Sequence, residues 1–220
     1  MSLALKTNAA DVRAIVKYLK TKPTGASLSD IKSADKRLSD GRKITAYINW
    51  GIVQRDDGRH KLTARGLNLA RHPDKSAGVF GEILSSNKAY RSVIEWAHQQ
   101  ELQSVDTNDV GAHWHEHHSA TVGAQVTEPT LRDNAVAFFS LAEAAELGTL
   151  TLGRGGKLTR LDINRAALAK FVEAGPASPP WDDADDEAGT DDSEEQGDAP
   201  AQDMLSWMLL EGEVVEVEVD

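Results

Sequence analysis

The last 45 residues of this chain, Pro176 to Asp220, hold 16 Asp and Glu and not one Lys or Arg. A segment so acidic repels itself and has too little apolar surface to offset the entropy of ordering it, so folding is confined to the first 175 residues. Those residues are themselves sorted by charge. Residues 1–75 carry 16 Lys and Arg against 7 Asp and Glu, a net of +9, and residues 76–175 carry 8 against 12, a net of −4. The whole-chain net of −11 therefore hides a basic head joined to an acidic tail. A basic head points to a polyanionic partner. The tail is able to compete for that partner's place, recruit a protein, or keep the chain in solution.

Several classes of function are set aside by what is missing. Cysteine is absent, which excludes disulfides, thiolate zinc sites and thiol catalysis, and fits a reducing cytoplasm. The start, Met1-Ser2-Leu3-Ala4-Leu5-Lys6, lacks the apolar core of a secretory signal, and no stretch approaches the roughly 18 apolar residues of a membrane span. A cytoplasmic protein without a membrane partner is expected. There is no P-loop, no dinucleotide-binding glycine fingerprint and no nucleophile elbow, so neither an enzyme nor a cofactor is expected.

Local patterning organises the head. Val12, Ile15, Val16 and Leu19 recur with helical period and predict a helix from about 8 to 20, ended near Lys22-Pro23. Ser27 caps a second helix through Ile31 to about Ala34, and Ser39 or Asp40 a third through Ile44, Tyr47, Ile48 and Trp50, closed by Gly51. Ile52-Val53-Gln54-Arg55 and Arg59-His60-Lys61-Leu62 flank the turn signal Asp56-Asp57-Gly58 and predict a hairpin. Thr63 then caps a helix from Ala64 to about Arg71, before His72-Pro73. Over about 5–72 this order, with its strand-to-helix run Lys61-Leu62-Thr63-Ala64-Arg65-Gly66, resembles the winged-helix family, in particular its prokaryotic members.

The second half repeats the ending of the first. A helix, Gly51, a strand, Gly58 and Lys61-Leu62-Thr63 match a helix, Gly148, Thr149 to Leu152, Gly155-Gly156 and Lys157-Leu158-Thr159, at offsets of 97, 97 and 96 residues. Upstream, Ala89 to about Gln100 reads as a helix through Tyr90, Val93, Ile94 and Ala97. Asp106 or Thr107 caps another, Glu128-Pro129 opens a long one with Ala135, Val136, Phe138, Phe139 and Leu141, and a last runs from about Asn164 to Glu173. The expected fold is mainly α with small β-hairpins, an α+β chain. It comprises a basic winged-helix domain at 1–75, a second winged-helix-like domain at 76–175, an acidic disordered linker at 176–203 and a short apolar docking segment at 204–220.

The resemblance implies that the third helix enters the major groove of duplex DNA and that the wing follows the backbone. In this sequence those roles fall on Arg42, Lys43, Thr45 and Asn49, with Arg42 suited to guanine, Asn49 to adenine and Lys43 to phosphate. Arg55, Arg59, His60 and Lys61 flank the wing turn, and Lys32, Lys36 and Arg37 extend the same side. Asp56 and Asp57 oppose deep insertion of the wing. Tyr47 and Trp50 follow the apolar period and read as core. An alternative open at this point is an adaptor of the same fold that binds only protein.

In the second half the long helix, Leu131 to Leu147, is expected to expose Arg132, Asp133, Asn134, Ser140, Glu143 and Glu146, a poor surface for DNA. Arg154, Lys157 and Arg160 still allow its wing a backbone contact, and homodimerisation through 76–175 would double the basic heads. His113, His115, His117 and His118 include an i, i+4 pair with Glu116 nearby. They lack metalloprotease spacing and a distant third ligand, so no metal site is expected. In the tail, Met204, Leu205, Trp207, Met208 and Leu209 form an apolar patch, and Val215, Val217 and Val219 alternate with glutamates as a strand does. Together they suggest a segment that docks on a protein partner by β-augmentation. Packing against the chain's own second half is the other reading.

Overall fold

The computed structural model describes Leu3, residues 6–122 and residues 126–176. The linker expected over 176–203, apart from Pro176, and the docking segment with Met204, Leu205, Trp207, Met208, Leu209, Val215, Val217 and Val219 lie outside the described residues. The described fold is mainly helical with small antiparallel hairpins.

Helix α1 (Ala9–Lys20) begins in a capping box, where the Asn8 side chain accepts the Asp11 N–H at 2.8 Å and the Asp11 carboxylate accepts the Asn8 N–H at 3.3 Å. Its residues Val12, Ile15, Val16 and Leu19 are buried, as their period predicts. Ala26 then forms an isolated bridge with His60, with N–H to O bonds of 3.0 and 2.8 Å in the two directions. Ser27 caps α2 (Leu28–Ala34) in a second capping box with Asp30, and Asp40 caps α3 (Gly41–Asn49). Strands β1 (Val53–Asp56) and β2 (Arg59–Leu62) pair antiparallel with Asp56 opposite Arg59. That register leaves Asp57 and Gly58 as the turn, both at positive φ (45° and 72°), which is what a two-residue turn matched to strand twist requires. Thr63 caps α4 (Ala64–Arg71).

A 3-10 turn, Pro73–Lys75, leads into α5 (Ser76–Ser86), then α6 (Lys88–Gln99), β3 (Ser104–Asp106), α7 (Thr107–His117), α8 (Ser119–Val122), α9 (Glu128–Ala144), β4 (Gly148–Thr151), β5 (Arg160–Ile163) and α10 (Arg165–Glu173). The sheet of this half runs β3-β5-β4. In the first half β2 likewise lies between β1 and the Ala26 bridge. Helix α5 escapes the sequence reading because Lys75 gives it no side-chain cap and its run from Val79 to Leu84 is almost continuously buried, without a polar face to mark its period.

The two halves superpose in register, in three steps. Caps Asn8 and Asn87, caps Ser27 and Asp106 with their acids Asp30 and Asp109, and buried Ile31 and Val110 each lie 79 residues apart. From the third helix into the hairpin the step is 95. The Ile52 N–H donates to the Tyr47 carbonyl and the Leu147 N–H to that of Ala142, both at 2.9 Å, and Gly51 and Glu146 share φ of 63° and 62°. From the inner strand onward it is 101, with Thr63 and Asn164 as caps whose own N–H groups bond the carbonyls of Ile52 and Leu147. The extra residues are the α8 region and a longer hairpin loop, 152–159, in place of Asp57-Gly58.

This register corrects the one expected from the Lys-Leu-Thr run. Gly148 does not end a helix. Glu146 holds the left-handed position equivalent to Gly51, whereas Gly148 opens β4 where a Cβ would collide with the Asp162 carbonyl. Lys157-Leu158-Thr159 lie in the hairpin loop, and Thr159 accepts the Gly153 N–H at 3.0 Å instead of capping a helix.

Residues 1–75 and 76–176 share one hydrophobic core, which runs from Leu3 to Leu168. Between them the Ala9 N–H donates to Ser140 Oγ at 3.0 Å, Arg65 Nε lies 3.2 Å from Glu82, and the Arg13 guanidinium sits 5.0 Å over the Phe80 ring. In the second half Tyr90, Trp114 and Phe138 pack as a trio with centroids 5.5 to 6.0 Å apart, and Trp114 Nε1 donates to the Ala89 carbonyl at 2.8 Å. Each such buried ring stabilises by about 2–3 kcal/mol relative to exposure. No helix among the described residues is long and apolar enough to cross a membrane.

Candidate nucleic-acid interface

At 100° per residue Arg42, Thr45 and Asn49 fall within one 60° sector of α3, with Ile48 at its margin. Ile44 and Tyr47 occupy the opposite, buried side, and Trp50 beyond the helix is buried too. Arg42 and Thr45 are exposed and Asn49 half-buried. The Thr45 hydroxyl donates to the Gly41 carbonyl at 2.9 Å, so its methyl is the group it offers outward. Lys43 is turned the other way. It is half-buried and its Nζ lies 2.7 Å from Asp11 of α1, which corrects its assignment as a phosphate contact: the lysine holds α1 to α3.

The remaining cations of this side are balanced locally. Arg42 pairs with Asp40 at 3.0 Å, Arg37 with Asp35 at 2.9 Å, and Lys61 with Asp56 at 2.6 Å. Hydrogen bonds from the Arg42 side chain and backbone hold the Asp40 carboxyl down at about 2, and the same two bonds from Arg37 lower Asp35. Such exposed pairs are weak in water and exchange readily for phosphate. Lys32, Lys36 and Arg55 are exposed and form no ion pair among the described residues. Arg59 donates to the Gly25 carbonyl at 3.0 Å, tying the wing to the bridge segment, and stays exposed. His60 is the second correction. It is 5% exposed, the inward residue of β2, so its ring cannot reach a backbone phosphate.

The second half offers no matching surface. At the step of 95 residues, Arg42, Thr45 and Asn49 correspond to Ala137, Ser140 and Ala144, of which Ala137 is buried and Ser140 already accepts the Ala9 N–H. Helix α9 is covered by α1, α5 and α7, and Asn134, expected on its surface, is buried. Arg132 is occupied by Glu128 and Asn108, and Arg160 by Asp162. What this half does expose is the long hairpin loop, where Leu152 is 59% and Leu158 37% accessible around Arg154 and Lys157.

The histidines form an aromatic stack. His113 lies over Trp96 with centroids 5.1 Å apart, bonds Ser92 Oγ at 3.2 Å, and has the His117 ring 4.7 Å away. Burial first, then the neighbouring His117 and His118, lowers its pKa. Among the described residues no three His, Cys, Asp or Glu side chains converge as a metal site.

Comparison with protein-family models, curated proteins and solved structures finds no match for this chain. The chemistry of the surface is therefore the ground for any functional reading. The sequence reading missed one concentration of charge, Arg13, Lys17 and Lys20 on α1. Their 4-and-3 spacing, a single helical stripe, was the signal available for it.

Proposed function

We propose that this chain is a tandem winged-helix protein of the prokaryotic kind that binds duplex DNA through α3 and the β1–β2 wing of its first half. It would serve as a transcriptional regulator or an accessory subunit of a DNA-handling or defence system. The observation that carries this reading is the contrast between equivalent helices: α3 presents Arg42, Thr45 and Asn49 to solvent, whereas α9 is sunk in the core. Lys32, Lys36 and Arg37 before α3 and Arg55, Arg59 and Lys61 on the hairpin flank that sector. This is the placement that backbone contacts need on either side of a reading helix. The acidic tail acts as an intramolecular competitor for the same head, and residues 76–176 offer the surface for a homodimer.

Fluorescence anisotropy with labelled duplexes at low salt tests it. Arg42→Ala and Asn49→Ala should erode discrimination between sites, by about tenfold or more for each good base pairing lost. Arg59→Ala and Lys61→Ala should weaken all sites alike. Equal loss of all sites in the α3 variants would remove α3 from the reading role.

A second reading, a protein adaptor without nucleic-acid binding, is favoured by two observations: the local pairing of Arg37, Arg42 and Lys61, and the exposed Leu152 and Leu158 on the second hairpin. Under it, no duplex binds at low salt and Leu152→Ser with Leu158→Ser abolishes a protein complex.

A further inference from the structure

A cavity of about 250 Å³ lies where α1, the end of α4, the Pro73–Lys75 turn and the start of α5 meet. Its floor is apolar, with Val16, Leu69 and Ala70 all buried, and its rim is cationic, with Arg13, Lys17 and Lys20. At 100° per residue these three cations fall within a 60° sector of α1, roughly opposite Asp11, the residue that holds Lys43. The cavity therefore opens on the side of α1 turned away from α3.

Its charge is not neutralised. Lys20 Nζ donates to the Ala70 carbonyl at 3.0 Å and Arg13 lies over Phe80, contacts that orient the cations and leave their charge intact. Among the described residues, neither these three nor Lys22, Arg71 and Lys75 beside them come within ion-pair distance of a carboxylate, although Asp74 is close in sequence. Helix α5 adds no acid in its first turn and no side-chain cap. On the α3 and wing side, by contrast, most cations already have an aspartate.

A site with a cationic rim, an apolar floor and room for about one large side chain suits an anionic peptide with a single apolar anchor. We propose that its occupant is the chain's own segment Trp181-Asp182-Asp183-Ala184-Asp185-Asp186-Glu187, with the indole on the floor and the carboxylates against Arg13, Lys17 and Lys20. Trp181 is the first large apolar residue after α10, in a region of 16 acids and no Lys or Arg. The chain is long enough. The Gly175 carbonyl accepts the Ser85 hydroxyl at 3.2 Å, which fixes the departure point near the end of α5. From Ser85 back to Ser76 is roughly 14 Å along the helix, and the six residues from Gly175 to Trp181 span up to about 20 Å. The inference does not depend on DNA binding. It places the tail's charge on the head beside α1, away from α3, so that competition with a polyanion acts through the field of the head.

The full chain tests this directly. Because it contains no cysteine, Ser178→Cys carries a single nitroxide label, and paramagnetic broadening of backbone amides reports where the segment rests. The expected result is selective loss of intensity at residues 13–20 and 69–76, relieved by high salt and by either Trp181→Ala or Lys17→Glu. Trp181→Ala lies outside the core, so its effect does not depend on the fold surviving a core change. Three results overturn the proposal: broadening centred on 32–62, broadening unchanged in both variants, or broadening seen only between labelled and unlabelled copies in a mixture. Absence of any selective broadening does so as well.

Discussion

His60 and Leu161 hold the same place in the two halves, the inward residue of the central strand, and only one of them can ionise. His60 Nδ1 has no partner among the described residues, and burial pushes the ring's pKa below its ordinary value. His113 and His118 are lowered too, again chiefly by burial. In each case the fold prefers the neutral ring while the unfolded chain takes up a proton near pH 6.5, so stability is full above that pH and falls as pH drops through it. Urea midpoints should be level above pH 7 and decline toward pH 5. His60→Leu, which installs the second half's own residue, should lessen that decline and stabilise the fold at pH 7 by about 1 kcal/mol. A lower midpoint for the variant at pH 5 is incompatible with this account. A second residue contrast is Glu146, non-glycine at φ 62° where the first half has Gly51. Glu146→Gly should stabilise by about 0.5–1 kcal/mol in the same assay, and Gly51→Ala should destabilise by a similar amount. Residues whose roles are local were legible in the sequence: caps Ser27, Asp40 and Thr63, and the Asp57-Gly58 turn, depend on neighbours within three positions. Lys43 and His60 were misplaced because Asp11 and Ala26, which turn them inward, lie more than thirty residues away in the chain.

Among the elements, the one that most links the halves through a side chain is α4. Arg65 is 7% exposed, and its Nη1 donates to the Trp50 carbonyl at 2.8 Å while its Nε reaches Glu82 of α5. Removing it strands a buried carbonyl at the end of α3, so Arg65→Ala should cost roughly 2 kcal/mol, whereas Glu82→Ala, at a half-exposed carboxylate, should cost clearly less. Equal losses would locate the energy in the ion pair instead of the carbonyl. The periods of α1, α6 and α9 were readable because each has a polar side or an explicit start signal. Helix α5 was not, being buried between others without a cap. The hairpin repeat was visible but slipped, because matching Lys-Leu-Thr by letters ignores the six extra loop residues that the strand pairing reveals.

For the whole molecule, a shared core from Leu3 to Leu168 means that the two halves should unfold together. Far-UV circular dichroism and tryptophan fluorescence should follow one coincident transition in urea, and two separated transitions would show independent domains. Net charge was legible at this scale from the sequence, but its disposition was not: pairing with aspartates mutes the α3 and wing side and leaves α1 the least compensated. If the tail competes electrostatically, deleting 177–220 should tighten DNA binding most at low ionic strength and progressively less as salt screens both charges. The most direct measurement is an anisotropy titration of the full chain with a short labelled duplex across a range of salt concentration. Four or so phosphate contacts from Lys32, Lys36, Arg55 and Arg59 predict a log–log slope of about −3 to −4, shallower by about one for each cation removed. No binding at the lowest salt, or a slope that Arg55→Ala and Arg59→Ala leave unchanged, rules out the first half as the DNA-binding surface.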